Sequence, residues 1–342
     1  MRYDSDKTRS LVFRVAHDAA PALRARASLL ARAASKSAIV VDSTEYRPQG
    51  GTVTYYVDAL SEAFSECAIR GLPYILDVGD VAADVRANRD GRGLASLVMS
   101  VLEKFLHSRA LGTVYRGMGH GGMLSAGREG RLRVLFLPDF PFLPSDVVLS
   151  GPPSSLNDFT LGFMGRSEPN RNGVPAGWHL LEWLSNGPGR VSILGAGKGM
   201  EVLRSAADFR LLSDRVTFSE NFQDVQEFAN GTHALFLPQS DNRLANVRTT
   251  GKLVEYLAWK RPILTSAVGT AGMLLPQSML FPSVPLDGPS YAKRLRTATN
   301  MWSNFGQQQW AEQVELLGPV QSVLDARSRL VLWRSSLELW IS

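Results

Sequence analysis

Cysteine is almost missing from this chain of 342 residues, where Cys67 stands alone. A single thiol excludes an internal disulfide and a cysteine-built zinc site, and it fits a reducing compartment. Long apolar runs are missing as well. Nothing approaches the ~18 to 20 uninterrupted apolar residues of a membrane-spanning helix. The first twenty residues carry five Lys, Arg or Asp before any apolar run, so a secretory signal is not visible and a cytoplasmic protein is expected. Internal repeats and low-complexity tracts are absent. His17, His107, His179 and His233 have no partners at metal-ligand spacing.

What the chain does have is a basic balance, with 37 Lys and Arg against 32 Asp and Glu, a net charge of +5 and a pI near 9.4. Such a surface suits an anionic partner: a phosphorylated ligand, an acidic membrane or nucleic acid. Nucleic acid has no stacking-aromatic or groove-helix motif behind it and is set aside. The densest basic stretch, "ALRARASLLARAASK" (22–36), borders an Ala/Leu face with Arg24, Arg26, Arg32 and Lys36. That helix has two available roles, lying on the inner face of a membrane or covering a sheet.

Short apolar runs alternate with helical patterns through most of the sequence. Strands are expected at 11–17, 37–42, 73–79, 112–117 and 132–139, then at 159–165, 190–197, 215–220, 234–238, 261–266 and 278–284. Between them Val57, Leu60 and Phe64 fall at helical spacing, and residues 94–106 put Leu94, Leu97, Val98, Val101, Leu102 and Phe105 on one stripe. Apolar strands separated by helices call for parallel sheets covered on both faces. "LSGPPSSLND" (149–158) interrupts the rhythm and reads as a linker. The expectation is two doubly wound Rossmann-like α/β domains facing a cleft: 1–150, 151–305, and a helical tail at 306–342 crossing back to the first. Residues 288–340 read as helical, with Trp302, Trp310, Trp333 and Trp340 as packing anchors. Ligands in such sheets bind beyond the carboxyl ends of the strands.

The richest chemistry lies in "NVRTTGKLVEYLAWKRPILTS" (246–266). A helix starting near Lys252 would present free N–H groups and a partial positive charge to a phosphate. Thr249, Thr250 and Gly251 add hydroxyls and a close-approach backbone, and Lys252 adds a full charge. Glu255 follows three residues later, placed to accept two hydroxyls of a ribose. The alternative is plain helix capping, with Thr at the cap and Glu in the first turn.

The surrounding sequence resembles the donor-binding domain of GT-B glycosyltransferases, in particular family 4, whose usual run is "K-L-x-E-Y-L-A-x-G-K-P-I". Lys252, Leu253, Glu255, Tyr256, Leu257, Ala258 and Pro262 stand in place, and Trp259-Lys260 replaces the usual residue and glycine. "LGFMGRSEPNRNG" is similar to that family's first donor-domain strand and Gly-Arg loop, and "VSILGAGKG" to its second strand. The resemblance covers about residues 37 to 275. It implies that Glu255 binds the donor ribose and 249–252 its phosphates. Arg166 would meet the diphosphate with Arg171 as second cation, and Glu220 would lie near the base.

The resemblance further implies transfer of a hexose-like sugar from a nucleotide-activated donor to an acceptor hydroxyl, with retention and without a metal. Cations and a helix terminus would then stabilise the leaving diphosphate. The nucleotide-sugar is the co-substrate and no further cofactor is implied. The acceptor is left as a glycan, a lipid-linked sugar or a small molecule. Two departures stand out. Val247 occupies the position of a carboxylate that usually contacts the transferred sugar, and "RPQGGT" (47–52) follows the second strand, so the first half reads as short.

Outside the resemblance, "RGMGHGGM" sets His120 among glycines after a strand, either as a group touching the leaving group or as a surface-loop histidine. Asp80 of "DVGD" would orient or deprotonate an acceptor hydroxyl, or cap the next helix. "GAGKG" (195–199) is half a dinucleotide fingerprint, without the acidic strand end that NAD binding needs. Two other functions stay open: a sugar-nucleotide epimerase or hydrolase of the same fold, and a non-catalytic GT-B-like binding protein.

Overall fold

The computed structural model describes residues 10–34, 38–42, 45–90, 93–120, 133–141, 159–167, 174–221, 224–239, 241–283 and 289–342. The expected linker at 149–158 and Arg171 lie outside them. The chain divides into two units, Met1–Phe140 with Val247–Thr249 and Asp325–Ser342, and Pro141–Asn246 with Thr250–Leu324. No helix among the described residues is long and apolar enough to cross a membrane.

In the first unit, β1 (Ser10–Val15), β2 (Ile39–Val41), β3 (Thr52–Val57), β4 (Tyr74–Val78), β5 (Gly112–Tyr115) and β6 (Val134–Phe136) form one parallel sheet in the order β2-β1-β3-β4-β5-β6. Its helices are α1 (Pro21–Ala34), α2 (Leu60–Glu62), which runs on as a π-helical turn Ala63–Ala68, α3 (Ala82–Asp90) and α4 (Leu94–Arg109). β3 corrects the sequence reading, which has no strand at 52–57 and places Val57 in a helical pattern. "TVTYYV" is β-branched and aromatic throughout, and a strand buried on both faces lacks the two-residue alternation that marks a half-exposed one. Val53, Tyr55 and Val57 enter one core with Phe13 and Ile75, while Tyr56 enters the other with Tyr74 and Leu76. With β3 counted, the first sheet has six strands and is not short. The Gly50-Gly51 turn leads into β3.

The apolar side of α1 covers the sheet: Ala27, Leu30 and Ala31 are buried with Phe13 and Val15. α4 is the second correction. Of the expected stripe, Leu102 and Phe105 pack against the core, but Leu94, Leu97, Val98 and Val101 are 78%, 61%, 55% and 62% exposed, while Glu103, Leu106 and His107 are buried. The polar side chains face inward for identifiable reasons. The Glu103 carboxylate accepts from the backbone N–H groups of Ala82 and Ala83 at 2.6 and 3.2 Å, satisfying the start of α3, and His107 bonds Thr113.

The second sheet consists of β7 (Thr160–Arg166), β8 (Arg190–Ala196), β9 (Val216–Ser219), β10 (Ala234–Leu237), β11 (Ile263–Ser266) and β12 (Leu280–Phe281), all parallel, in the order β12-β11-β10-β7-β8-β9. Between the strands lie α5 (Trp178–Ser185), α6 (Gly199–Phe209), α7 (Val225–Gly231), α8 (Arg243–Val247), α9 (Gly251–Ala258) and α10 (Gly269–Leu274). Then follow α11 (Pro289–Trp302), α12 (Gln307–Glu315), α13 (Gly318–Leu324) and α14 (Ala326–Ile341). All four tail tryptophans are buried. The Trp302 and Trp310 indoles donate to Ser278 O and His233 O within the second unit, and Trp333 donates to the Tyr55 hydroxyl within the first.

Candidate functional site

The strand order of the second sheet reverses between β7 and β10, the position where open α/β sheets bind ligands. Pairing between these strands is confined to Ala234 with Leu161 and Leu235 with Gly162. Beyond that point the Tyr256 hydroxyl, from α9, bridges them. It accepts from Met164 N at 2.9 Å and lies 3.3 Å from Phe236 O. Burial raises the Tyr256 pKa, the Met164 N–H opposes the rise, and Glu255 adds to it. A neutral phenol that both donates and accepts thus ties α9 to the two strands at the switch point.

α9 begins as its sequence requires. Thr250 has extended backbone and its hydroxyl accepts from Leu253 N at 3.2 Å, a normal N-cap. Leu253, Val254, Tyr256 and Leu257 are buried, which leaves Gly251, Lys252 and Glu255 half-buried. Gly165, next to last in β7, has φ +135°, and a Cβ there would collide with the Lys252 side chain. The glycine therefore lets Lys252 run across the end of β7, with its ammonium 4.5 Å from the Phe163 ring centroid. Arg166 ends β7 and pairs with Ala196 of β8. Glu220, just beyond β9, is exposed and forms an ion pair with Arg204 at 3.0 Å. The glycines of "GAGKG" pack backbone: a Cβ at Gly195 would strike Gly165 O, and one at Gly199 would strike Ser167 O.

Thr249 falls in the first unit with Val247 and Arg248. Its hydroxyl accepts from Met118 N at 3.2 Å, and Arg248 pairs with Asp80 at 3.3 Å. Burial raises the Asp80 pKa against the pull of Arg248. Val247 is buried beside Val81 and Ala83, apolar surroundings that would penalise a carboxylate. His120 is 1% exposed, which rules out the surface-loop reading. Neither ring nitrogen has a hydrogen-bond partner among the described residues, and the ring packs on Tyr115 at 4.8 Å. Burial lowers its pKa to about 4, Asp58 opposing and Arg116 assisting the change.

Sequence reasoning missed a buried charge network at the carboxyl ends of the first sheet. Asp77 accepts from Arg26 Nε and from the Tyr55 hydroxyl, each at 3.0 Å. Arg116 pairs with Asp58, with Asp139 at 3.3 Å and with Asp77 at 3.5 Å. Burial raises the Asp58 pKa, but the Arg116 guanidinium prevails and lowers it; for Asp77 burial prevails and the pKa rises. A signal was available for Asp77, Arg116 and Asp139, which sit near the ends of the strands expected at 73–79, 112–117 and 132–139, but not for Asp58, which follows β3. Among the described residues no group of three or more His, Cys, Asp or Glu is arranged to hold a metal ion.

No protein-family model and no curated protein matches the chain. Solved structures do. Sucrose-phosphate synthase from Thermosynechococcus elongatus is 13% identical with a TM-score of 0.67, covering 97% of this chain and 100% of its own. Anabaena HepE in complex with UDP and glucose is 14% identical with a TM-score of 0.67, covering 96% and 98%. The lipopolysaccharide outer core galactosyltransferase WaaB, in its apo form, is 12% identical with a TM-score of 0.56, covering 95% and 99%. Two parallel six-stranded sheets and these neighbours give the chain the fold of the GT-B glycosyltransferases.

Proposed function

We propose that the chain is a glycosyltransferase of the family 4 type that moves a sugar from a nucleotide-activated donor to an acceptor hydroxyl. The observation that carries the reading is the Lys252 side chain crossing Gly165 beside the N-terminus of α9, at the switch point of the second sheet. A cation and helix N–H groups at that position suit a diphosphate, and their stabilisation grows as the leaving group gains charge. Glu255, one turn further on the half-buried side of α9, is assigned to the ribose. Arg166 and Arg171 are assigned to the diphosphate, Glu220 to the region of the base, and retention follows the family resemblance. HepE has been solved with UDP and glucose and with UDP-glucose, which supports a nucleotide-sugar donor.

Asp80 is the group we assign to the acceptor hydroxyl. His120 stays neutral near pH 7, so in this reading it does not serve as an acid. With Val247 in an apolar cluster, no carboxylate at that position meets the transferred sugar. Incubation with UDP-, GDP-, ADP-, CDP- and dTDP-linked sugars, followed by chromatography for released nucleoside diphosphate, tests the assignment. Turnover of one donor that falls in Lys252→Ala supports it. If no donor is consumed and none binds, the fold serves a non-catalytic role.

A further inference from the structure

α4 is apolar on both sides: Leu102, Phe105 and Leu106 pack on the core with Tyr74 and Tyr115, and a second aliphatic stripe faces outward. Leu94, Leu97, Val98 and Val101 follow one another at helical spacing along the outer side and are each more than half exposed. The same face continues into Lys104 and Ser108, both exposed. On the inner side, Glu103 and His107 are taken up by Ala82, Ala83 and Thr113. Turning the helix to bury its aliphatic stripe would therefore break the bonds that hold α3 in place.

Charge identifies what covers the stripe. The exposed charged side chains of α4 are both basic, Lys104 and Arg109, the last stacked on Phe105 at 4.8 Å. Glu103 is buried, and Asp84 is not among the exposed residues. Area points the same way, since the stripe presents roughly 450 Å² of largely apolar surface, against about 800 Å² per partner in a stable protein interface. A short aliphatic stripe edged by cations matches a bilayer interface, where aliphatic groups enter the acyl boundary and Lys and Arg meet anionic headgroups.

We propose that α4 docks the chain on an anionic lipid surface. This is independent of the donor site, so either can fail without the other. The test is flotation of the 342-residue chain with vesicles of pure phosphatidylcholine and of phosphatidylcholine mixed with phosphatidylglycerol. Wild type should float with the mixed vesicles, less as salt rises. The combined Leu97→Ser and Val101→Ser variant should lose about tenfold in bound fraction, with an unchanged melting temperature because both positions are exposed. Lys104→Glu should weaken binding at low salt. Phe209→Ser, which changes a residue 90% exposed on the second unit, should float like wild type. No flotation of wild type, or equal flotation of the double variant, overturns the proposal. So does a light-scattering mass of two chains that reverts to one in the double variant, because a second copy would then cover the stripe.

Discussion

His120 should leave a measurable imprint on the acid stability of the protein. Its ring is buried and has a pKa of about 4, against 6.5 for an unperturbed imidazole. The unfolded chain therefore takes up this proton first as pH falls below 6.5, and folding then has to expel it. Stability supplied by the neutral ring is complete above pH 6.5 and is lost as pH falls through the window toward 4. At about 1.36 kcal/mol per unit, the full window is worth roughly 3 kcal/mol, and about 2.5 kcal/mol is gone by pH 4.5. Other groups titrate nearby. Asp58, with a lowered pKa, loses stability in the same direction, while Asp77 and Asp80, with raised values, act oppositely. Comparison of wild type with His120→Gln removes those shared contributions. Urea unfolding of both proteins at pH 7.5 and pH 4.5 should show the wild type losing about 2.5 kcal/mol more than the variant. Equal losses would mean that the imidazole is solvated, and the burial argument would be wrong.

Three further outcomes are expected. Asp77→Asn leaves Arg26 and Arg116 short of a buried counter-charge and should cost about 3–5 kcal/mol in urea unfolding; a cost below 1 kcal/mol would show the network to be hydrated. Gly165→Ala places a Cβ at φ +135° against Lys252, so it should destabilise by about 1–3 kcal/mol and weaken nucleoside diphosphate binding measured by calorimetry. Unchanged affinity would remove Lys252 from the phosphate site. Since the leaving diphosphate is assigned to side chains and a helix terminus, EDTA should leave donor turnover unaltered, and abolished turnover restored by Mg²⁺ or Mn²⁺ would reject that assignment.

The second unit was legible in the sequence because its signals are local. The cap at Thr250, the start of α9 and the apolar strands at 160–166 and 263–266 depend on neighbours a few residues away. In the first unit the decisive facts are long-range. β3 hides because Thr and Tyr interrupt its apolar run, and only pairing with β1 and β4 reveals it. The α4 stripe misleads for a related reason. Periodicity shows the apolar stripe, but not how the helix is turned. Here Leu102, Phe105 and Leu106 on the core and the partners of Glu103 and His107 at Ala82, Ala83 and Thr113 leave Leu94, Leu97, Val98 and Val101 outside. The Arg26–Asp77 contact joins residues 51 apart, so only the individual charges at strand ends could be read, not their pairing. Val247 looks like a lost carboxylate in sequence and fits its apolar neighbours in the structure.

The most direct measurement is a thermal-shift panel of UDP, GDP, ADP, CDP and dTDP on wild type and on Glu255→Ala. A ligand at a hundred times its dissociation constant adds about 2.7 kcal/mol to stability, enough to move the transition clearly. One nucleotide should stabilise the wild type, and Glu255→Ala should lose most of that response while melting normally alone. If none of the five shifts the wild type, or if Glu255→Ala responds as the wild type does, the switch point of the second sheet is not a nucleotide-sugar site.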